Sequence, residues 1–472
     1  MFIKRFFEPK LAQTSYLIVC QGKAEAIVID PNRDVDQYIQ AAEAEGSKIT
    51  HITETHIHAD FCSGARELAA RSGGRLYLSD EGDADWKYAF AQADDAVLVK
   101  NGDHIKVGNI DLEVLHTPGH TPEHISFLIT DTAAADEPIA AATGDFIFVG
   151  DVGRPDLLEK AANMKGTMEA GARTLWKSID AFRARPDWLQ IWPGHGAGSS
   201  CGKGISAIPH STLGYEKRFN WAFQCKTEQE FVDNVLAGQP DPPKYFAEMK
   251  RVNKVGPRVL GGFTRPPQKS LADLTAAIAS GARVVDMRSS TEFGFGAVPG
   301  TVSVPMGGSF TTWMGWLVPY TEDFFLIGTA ATVDTAVRDL AMIGLDRIGG
   351  WFDPSVIAEW AAASPSPLTQ VPQIEAVDLA HSIRNGGVTL VDVRNVNEFA
   401  AGHIDGAIHI PLGRLTERMD EIPREKPIVM QCAGGMRSMI GASLLKGRGV
   451  DRVINLSGGY SAWTKAGLPV KD

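Results

Sequence analysis

At about 100 to 200 residues per domain, a chain of 472 residues should divide into about two to four folded units. Its 44% hydrophobic and 22% charged residues are typical of a globular protein. The net charge of −11 argues against a surface for nucleic acid or for anionic lipid.

The location of the protein follows from what the sequence lacks. No apolar run approaches the roughly 20 residues of a membrane-spanning helix. The opening MFIKRFFEPKLAQTSYLIV has neither a sustained apolar segment nor a small-residue cleavage site. The five cysteines are widely spread and form no CxxC pair, so a disulfide framework is not supported. We therefore expect a cytoplasmic protein with no membrane partner, whose important cysteines are reactive thiols.

The first 225 residues alternate β-rich runs with helical patterns, and the loops between them carry Gly, Pro, His and Asp. Strands are predicted at 26–30, 48–53, 75–79, 112–116, 125–130 and 189–192. Helices are predicted in VDQYIQAAEAEG, SGARELAARSG and MEAGARTLWKSIDAF. The alternation predicts an α/β domain with functional loops at the strand ends.

An internal repeat with an offset of 106 positions follows a Pro- and Gly-dotted connection after residue 240. The residues Asp286, Arg288, Glu292, Phe293, Gly296, Gly300 and Pro305 recur as Asp392, Arg394, Glu398, Phe399, Gly402, Gly406 and Pro411. Each copy reads helix, buried strand, loop and second strand, which predicts two α/β domains with parallel sheets.

Histidines and aspartates follow four separate strands of the first domain. They lie in THIHAD (55–60), TPGHT (117–121), TGD (143–145) and WPGHG (192–196). Imidazoles and carboxylates from several strand ends, with glycines that allow close backbone approach, suit a divalent first-row metal. The sequence therefore predicts a metal site here.

These motifs resemble the metallo-β-lactamase superfamily, whose HxHxDH, later His, later Asp and final GH occur here in order across roughly residues 1–220. The resemblance implies an αββα sandwich. Phe61 stands where the last His of HxHxDH would help to bind a second metal. A hydrolytic two-metal site is therefore disfavoured, and one metal with open coordination positions is expected.

Within the superfamily, THIHADFCSG, TPGHT, TGDFIFVGDVGRPDL and FEPKLAQTSYLI resemble the persulfide dioxygenases more than glyoxalase II. The resemblance implies one Fe(II) per N-terminal domain, held by His56, His120 and Asp145. Two His and one carboxylate leave a face open for substrate and O₂.

Other residues of the same motifs receive supporting roles. In this branch the residues that would orient ligands or bound water are His58, Asp60 and His195, with direct metal binding as the alternative. Arg154 matches the GRxD motif and is a candidate for binding an anionic persulfide or carboxylate, with a structural ion pair as the alternative. Cys201, in a Gly-rich stretch beside Lys203, predicts an exposed thiolate for persulfide relay or substrate gating.

A second chemical motif follows the strand IVMQ, where CAGGMRS (432–438) opens a helical segment. Backbone N–H groups and the positive helix end lower the pKa of a thiol placed there. Arg437 adds a charge able to bind sulfite or thiosulfate. VDVR, NEFAAGHIDGAIHIP, CAGGMRS and LSGGYSAW resemble rhodanese, which implies sulfane sulfur transfer through a persulfide of Cys432.

The first copy of the repeat lacks a nucleophile. No cysteine lies between Cys225 and Cys432, and the equivalent position falls between Leu326 and Gly328. We predict a catalytically silent rhodanese-like domain that is a spacer, docking surface or dimer interface. The predicted domains are 1–240, a 241–265 connector, 266–362 and 373–472.

The order dioxygenase, silent rhodanese, active rhodanese resembles bacterial fusion proteins that clear sulfide and persulfide. The resemblance implies that a persulfide RSSH of glutathione, coenzyme A or another thiol reacts with O₂ and water to give sulfite and RSH. Cys432 would interconvert sulfite plus persulfide and thiosulfate, in either direction. We also expect a homo-oligomer.

Two other functions stay open. One is a zinc-dependent thioesterase of the glyoxalase II kind fused to a sulfurtransferase, which Phe61 disfavours. The other is a persulfide sensor or sulfur-carrier scaffold with a structural metal. Metal identity distinguishes the first, because iron, zinc and manganese share these ligand types, and persulfide turnover distinguishes the second.

Overall fold

The computed structural model describes residues 1–157, 159, 166–239 and 241–471. The chain divides into two compact units, one of Met1–Phe263 with Ala341–Gly344 and one of Thr264–Leu340 with Leu345–Asp472. Most of the segment 241–265, treated as a connector on sequence grounds, thus belongs to the first unit. The exact domain boundaries stay predictions.

Two six-stranded sheets form the centre of the first unit, in the orders β1-β2-β3-β4-β5-β6 and β12-β11-β10-β9-β8-β7. The first sheet consists of β1 (Phe2–Glu8), β2 (Gln13–Cys20), β3 (Glu25–Ile29), β4 (Lys48–Thr53), β5 (Arg75–Ser79) and β6 (Val97–Val99). The second consists of β7 (His104–Val107), β8 (Ile110–His116), β9 (Ile125–Asp131), β10 (Ala140–Gly144), β11 (Gln190–Pro193) and β12 (Ser211–Thr212).

The helices of the first unit cover the outer faces of these sheets. They are α1 (Asp36–Ala44), α2 (Ala65–Ser72), α3 (Thr167–Phe182), α4 (Leu213–Phe219), α5 (Trp221–Gln224), α6 (Glu228–Leu236) and α7 (Tyr245–Val255), with a 3₁₀ turn at Ala84–Trp86. The predicted strands and helices of this part are confirmed within a few residues. The structure adds the strands β1, β2, β6, β7, β10 and β12 and the helices α4 to α7.

Alternation along the strands sets the layers, because successive side chains of a strand point to opposite faces. In β2, Tyr16 and Ile18 belong to the core that both sheets share, whereas Leu17 and Val19 belong to the core under α1 and α2. A third core joins the other face of the second sheet to α3 and α6. The order helices, sheet, sheet, helices confirms the predicted αββα sandwich.

Two smaller sheets of parallel strands form the second unit. The first has the order β14-β13-β15-β16, and the second the order β17-β21-β20-β18-β19. Their strands are β13 (Arg283–Asp286), β14 (Val302–Ser303), β15 (Phe324–Ile327), β16 (Ile348–Phe352), β17 (Gln373–Ile374), β18 (Thr389–Asp392), β19 (Ile408–His409), β20 (Ile428–Gln431) and β21 (Val453–Leu456). Four strands of each sheet share one order, as the sequence repeat predicts.

Helices flank both sheets of the second unit. They are α8 (Leu271–Ala279), α9 (Ser290–Phe295), α10 (Phe310–Leu317), α11 (Ala330–Ala341), α12 (Val356–Ala363), α13 (Ala376–Arg384), α14 (Val396–Ala400), α15 (Leu415–Arg418), α16 (Met436–Gly447) and α17 (Gly459–Lys465), with 3₁₀ turns at Leu412–Arg414 and Met419–Glu421. Within the described ranges, no helix combines the length and apolarity needed to cross a membrane.

Candidate metal centre and thiol site

Three predicted metal ligands meet at the strand ends of the first unit. His56 follows β4, His120 follows β8 and Asp145 follows β10 directly. One ligand atom from each of the three lies within 4.8 Å of the other two. All three side chains are buried. The fold therefore brings together residues that are far apart in the sequence around a volume suited to one ion.

One hydrogen bond orients His120 and leaves the lone pair of its other ring nitrogen free. Nδ1 of His120 donates to the carbonyl oxygen of Arg154 at 2.9 Å. Nε2 is then the unprotonated nitrogen, and it lies 3.6 Å from Oδ2 of Asp145. This arrangement fixes the tautomer that a metal ligand needs.

His56 is oriented in the same way by a hydroxyl group. The hydroxyl of Thr55 donates to Oδ2 of Asp30 at 2.9 Å and accepts from Nδ1 of His56 at 3.0 Å. Burial, together with the neighbouring imidazoles, lowers the pKa of His56 well below its usual value. His56 is therefore neutral, with its Nε2 lone pair turned to the other ligands.

Two ligand atoms have unmet hydrogen-bonding capacity. Among the residues that the structure describes, Nε2 of His56 and Oδ2 of Asp145 are buried without a hydrogen-bond partner. Such an unpaired group costs about 1–3 kcal/mol, so a bound cation is its natural partner. Two imidazoles and one carboxylate fit a divalent first-row metal, in agreement with the prediction.

His195 lies between two carboxylates. Its Nδ1 donates to Oδ1 of Asp145 at 2.7 Å, and its Nε2 donates to Oδ2 of Asp60 at 2.6 Å. Burial lowers the pKa of His195, but these two carboxylates outweigh burial and raise it well above its usual value. Burial raises the pKa of Asp145, and the charge of His195 lowers it below its usual range. His195 and Asp60 thus orient Asp145.

His58 is directed to a different carboxylate. Its Nε2 donates to Oδ1 of Asp30 at 3.1 Å. Burial lowers the pKa of His58, but Asp30 outweighs burial, and the pKa rises to about 9. The buried ring of Phe61 packs on His58 with centroids 4.3 Å apart. Position 61 therefore carries an apolar side chain where binding of a second metal would require a ligand.

His124 is a member of the site to which the sequence did not point. Its Nε2 accepts from the backbone N–H of Asp145 at 3.1 Å, and its Nδ1 donates to the hydroxyl of Thr117 at 2.8 Å. Its ring stacks on that of His56, with centroids 5.0 Å apart. Burial lowers the pKa of His124 well below its usual value, so it accepts as a neutral imidazole.

Two buried glutamates were also not predicted. Oε1 of Glu123 accepts from the backbone N–H of Ile57 at 2.8 Å, which fixes the chain between His56 and His58. Burial raises the pKa of both Glu54 and Glu123 to about 7. Their only sequence signal is adjacency to the HxH and PGHT motifs.

Helix α7 stabilises the loop that contains His58 and Phe61. Asn253 is buried, and its amide nitrogen donates to the carbonyl oxygens of His58 and Phe61, each at 2.7 Å. Its amide oxygen accepts from the N–H of Ser63 at 2.9 Å. A residue of the presumed connector is therefore part of the support of the metal centre.

The assignment of Arg154 to substrate binding is corrected by the structure. Its side chain is fully buried, and Nε and Nη2 donate to the carboxylate of Asp156, each at 2.7 Å. Nη1 donates to the carbonyl oxygen of Ser200 at 3.0 Å. The structural ion pair that the sequence left open is the arrangement found, because Asp156 already satisfies the edge that an anion would need.

The prediction of an exposed Cys201 thiolate is wrong. Cys201 is only 2% exposed, and its Sγ lies within 4.8 Å of ligand atoms of Asp60 and His195. Burial, with the nearby carboxylate of Asp60, raises the pKa of the thiol well above its usual value. The ammonium of Lys203 donates to the carbonyl oxygen of Ala237 at 2.9 Å and so serves the end of α6.

In the second unit, Cys432 follows β20 and its loop leads into α16, as the sequence predicts. Its Sγ accepts from the backbone N–H of Gly435 at 3.1 Å and from the hydroxyl of Ser438 at 3.3 Å. Cys432 is itself buried, whereas a Cβ at Gly434 in the same loop would meet no described atom within 4 Å. The sulfur thus lies among donors that stabilise an anion.

Arg437 is paired with a carboxylate that the sequence did not single out. Its Nη1 donates to Oε2 of Glu398 at 2.6 Å, and its Nη2 donates to Oε1 at 2.7 Å. This bidentate contact occupies the edge of the guanidinium that was expected to bind sulfite or thiosulfate.

The first copy differs at the equivalent loop. The sheet registers place Gly328 after β15 as Cys432 lies after β20. A Cβ at Gly328 would lie 2.6 Å from Cε of Met287 and 2.7 Å from the hydroxyl of Thr332. The position therefore lacks a thiol, and a side chain there would have to displace Met287 and Thr332.

Known families match two parts of the chain. The metallo-beta-lactamase superfamily matches residues 9–195, and the rhodanese-like domain matches residues 375–466. A hydroxyacylglutathione hydrolase of Rhodopseudomonas palustris is 32% identical over 215 residues, which cover 46% of this chain and 71% of that protein. The chain belongs to the metallo-β-lactamase superfamily. Its C-terminal part is a rhodanese-like domain.

Other similar proteins agree with this placement. A probable metallo-hydrolase of Burkholderia pseudomallei is 29% identical over 220 residues, which cover 41% of this chain and 72% of that protein. The solved structure of a metallo-beta-lactamase from Staphylococcus aureus has 43% identity and a TM-score of 0.67, and the match covers 75% of this chain and 99% of that one. A metal-binding fold joined to a rhodanese-like domain indicates an enzyme.

Proposed function

We propose that the first unit is a mononuclear non-heme Fe(II) dioxygenase of low-molecular-weight thiol persulfides, and that Cys432 is the nucleophile of a coupled sulfurtransferase. The first reaction is RSSH + O₂ + H₂O → RSH + SO₃²⁻ + 2 H⁺. The observation that carries the proposal is the ligand set of His56, His120 and Asp145 beside the buried ring of Phe61. Two imidazoles and one carboxylate are the ligands typical of iron oxygenases, and position 61 provides no imidazole for a second metal.

The residues of the chain prepare this site before any ligand arrives. His56, His120 and Asp145 would hold Fe(II), which when bound supplies open coordination positions for sulfur and O₂. The carbonyl oxygen of Arg154 keeps the ring of His120 in one tautomer. His195 keeps one oxygen of Asp145 occupied, so that the other faces His120. Burial of these groups excludes water from competing hydrogen bonds.

The second reaction takes place on the loop that begins at Cys432. The thiolate attacks the outer sulfur of RSSH, so that a Cys–S–S bond forms while the RS–S bond breaks and RSH leaves with the proton. Sulfite then attacks the outer sulfur of this cysteine persulfide, and thiosulfate leaves as the thiolate is restored. The N–H of Gly435 and the hydroxyl of Ser438 stabilise the negative sulfur in both steps.

Two variants separate the two activities. Cys432→Ser should abolish thiosulfate formation from glutathione persulfide but leave O₂ uptake and sulfite release. His120→Ala should remove iron and O₂ uptake but spare sulfur transfer from thiosulfate to cyanide. Cys225→Ser, in a buried site elsewhere in the first unit, is the matched control and should leave both reactions intact. Loss of O₂ uptake in Cys432→Ser would contradict the two-site assignment.

A zinc-dependent thioesterase is the second candidate, because a hydroxyacylglutathione hydrolase is among the similar proteins. Such an enzyme should hold zinc, cleave S-acylglutathione and consume no O₂. A persulfide sensor or sulfur-carrier scaffold is the third, and it should turn over no thiol persulfide. Parallel assays with S-lactoylglutathione and glutathione persulfide distinguish all three.

A further inference from the structure

The ion pair between Arg437 and Glu398 involves the start of α16, the helix that follows the Cys432 loop. Ser438, the neighbour of Arg437 in the chain, donates to Sγ of Cys432 at 3.3 Å. Both hydrogen bonds of the pair are short, at 2.6 and 2.7 Å, and the two side chains are 19% and 32% exposed. The guanidinium of Arg437, which was expected to bind an oxyanion, is thus hydrogen-bonded to a carboxylate of the same domain.

Comparison with the silent copy of the repeat distinguishes this ion pair from helix capping. In both copies a glutamate completes the capping box of the helix after the buried strand: Glu292 with Ser289 in α9, and Glu398 with Asn395 in α14. The sheet registers place Gly328 of the silent copy where Cys432 lies in the other, and the sequence from 329 to 337 that follows it contains no arginine. Capping therefore explains both glutamates, but of the two only Glu398 is hydrogen-bonded to an arginine in the described structure.

The two sulfur donors differ in how much they need that arginine. Thiosulfate is a dianion, and binding of its sulfonate group in the loop requires positive charge. An alkyl persulfide carries at most one negative charge, on sulfur, which the backbone N–H of Gly435 can stabilise. Glu398 therefore opposes binding of the first donor much more strongly than binding of the second.

We propose that Glu398 is a specificity-determining residue that competes with sulfite and thiosulfate for Arg437. Cys432 then takes sulfane sulfur from a thiol persulfide in preference to thiosulfate. This inference rests on the proposed sulfurtransferase function. Sulfur transfer from thiosulfate to Cys432 and its reverse, attack of sulfite on the loaded cysteine, pass through one transition state. Removal of the charge of Glu398 should therefore speed both, and leave loading from a persulfide unchanged.

The test uses the full chain under anaerobic conditions, with loading of Cys432 followed by mass spectrometry. Glu398→Gln removes the charge and keeps a capping-box side chain, so the helix start is retained. We expect kcat/KM for loading from thiosulfate to rise about tenfold or more, because one nearby negative charge is gone. Loading from glutathione persulfide should change by less than about twofold. The matched control Glu292→Gln should change neither rate.

The double variant Glu398→Gln/Arg437→Gln provides the decisive comparison. If the gain with thiosulfate arises from freeing Arg437, the double variant should lose it. Equal effects on both donors, or no effect on either, would overturn the inference. If wild-type Cys432 takes sulfur from neither donor, the proposed sulfurtransferase function itself fails. The wild-type measurement thus distinguishes failure of the specificity proposal from failure of the sulfurtransferase proposal.

Discussion

His195 holds one oxygen of Asp145 through a hydrogen bond of 2.7 Å, and this bond decides which oxygen of Asp145 is free. The other oxygen is buried without a hydrogen-bond partner in the described part of the chain, and it lies 3.6 Å from Nε2 of His120. Metal binding and orientation of the metal ligand Asp145 are thus carried out by different residues. Residues at positions that bind metal in the superfamily orient a metal ligand in this chain.

His195→Gln should weaken iron binding about 10- to 100-fold, because loss of a group that orients a metal ligand typically has this effect. Competition with a chelator measures the affinity. Sulfur transfer at Cys432 should be unchanged, which controls for general misfolding. Undiminished iron affinity would contradict the orienting role of His195.

Asn253→Ala should destabilise the first unit by about 3 kcal/mol, because it removes three hydrogen bonds of a buried side chain and leaves two carbonyl oxygens and one N–H unpaired. Urea unfolding followed by tryptophan fluorescence measures the change. Asn253→Asp is the sharper variant, since it places a carboxylate oxygen against the carbonyls of His58 and Phe61. An Asp variant as stable as the wild type would contradict the contact.

Cys201 should resist alkylation in the folded chain because it is only 2% exposed. Iodoacetamide labelling at pH 8, followed by peptide mass spectrometry, should modify Cys201 at less than about one tenth of the rate seen in urea. Rapid labelling of the folded chain would instead support the exposed thiol predicted from the sequence.

The pair of Glu398 and Arg437 should make the C-terminal domain sensitive to acid. The guanidinium of Arg437 holds the pKa of Glu398 below its ordinary value of 4.5. Because the folded pKa is the lower one, the pair stabilises the fold fully above about pH 4.5 and loses this contribution as the pH falls through the folded pKa.

Hydrogen exchange of peptides from 390–440, corrected for intrinsic rates, measures this loss between about pH 6 and 3.5. Arg437→Gln should show a flatter dependence on pH, because the pKa of Glu398 then approaches that of the unfolded chain. Identical profiles for the two proteins would show that the pair does not contribute.

Much of the fold and the three ligands could be predicted from the sequence. Period-two alternation marks strands such as β8, and His56, His120 and Asp145 follow strand ends that the two sheets bring together. The repeat of VDMR as VDVR likewise predicts two similar sheets. These signals are local or periodic, so a single sequence carries them.

The predictions that were wrong or missing depend on burial or on contacts between residues far apart in the sequence. Arg154 next to Asp156 is compatible with either an ion pair or an anion site, and only burial decides between them. Asn253 contacts a loop nearly 200 residues away, without a motif of its own. For Cys201, flanking glycines suggested exposure, whereas packing against the metal centre buries it.

Metal content and O₂ uptake of one preparation test the central claim most directly. The full chain would be loaded anaerobically with Fe(II), freed of excess metal and then given glutathione persulfide and O₂. We expect about one iron per chain and O₂ uptake that depends on the persulfide, because Phe61 provides no ligand for a second metal. Two tightly held zinc ions with no O₂ uptake would contradict the claim.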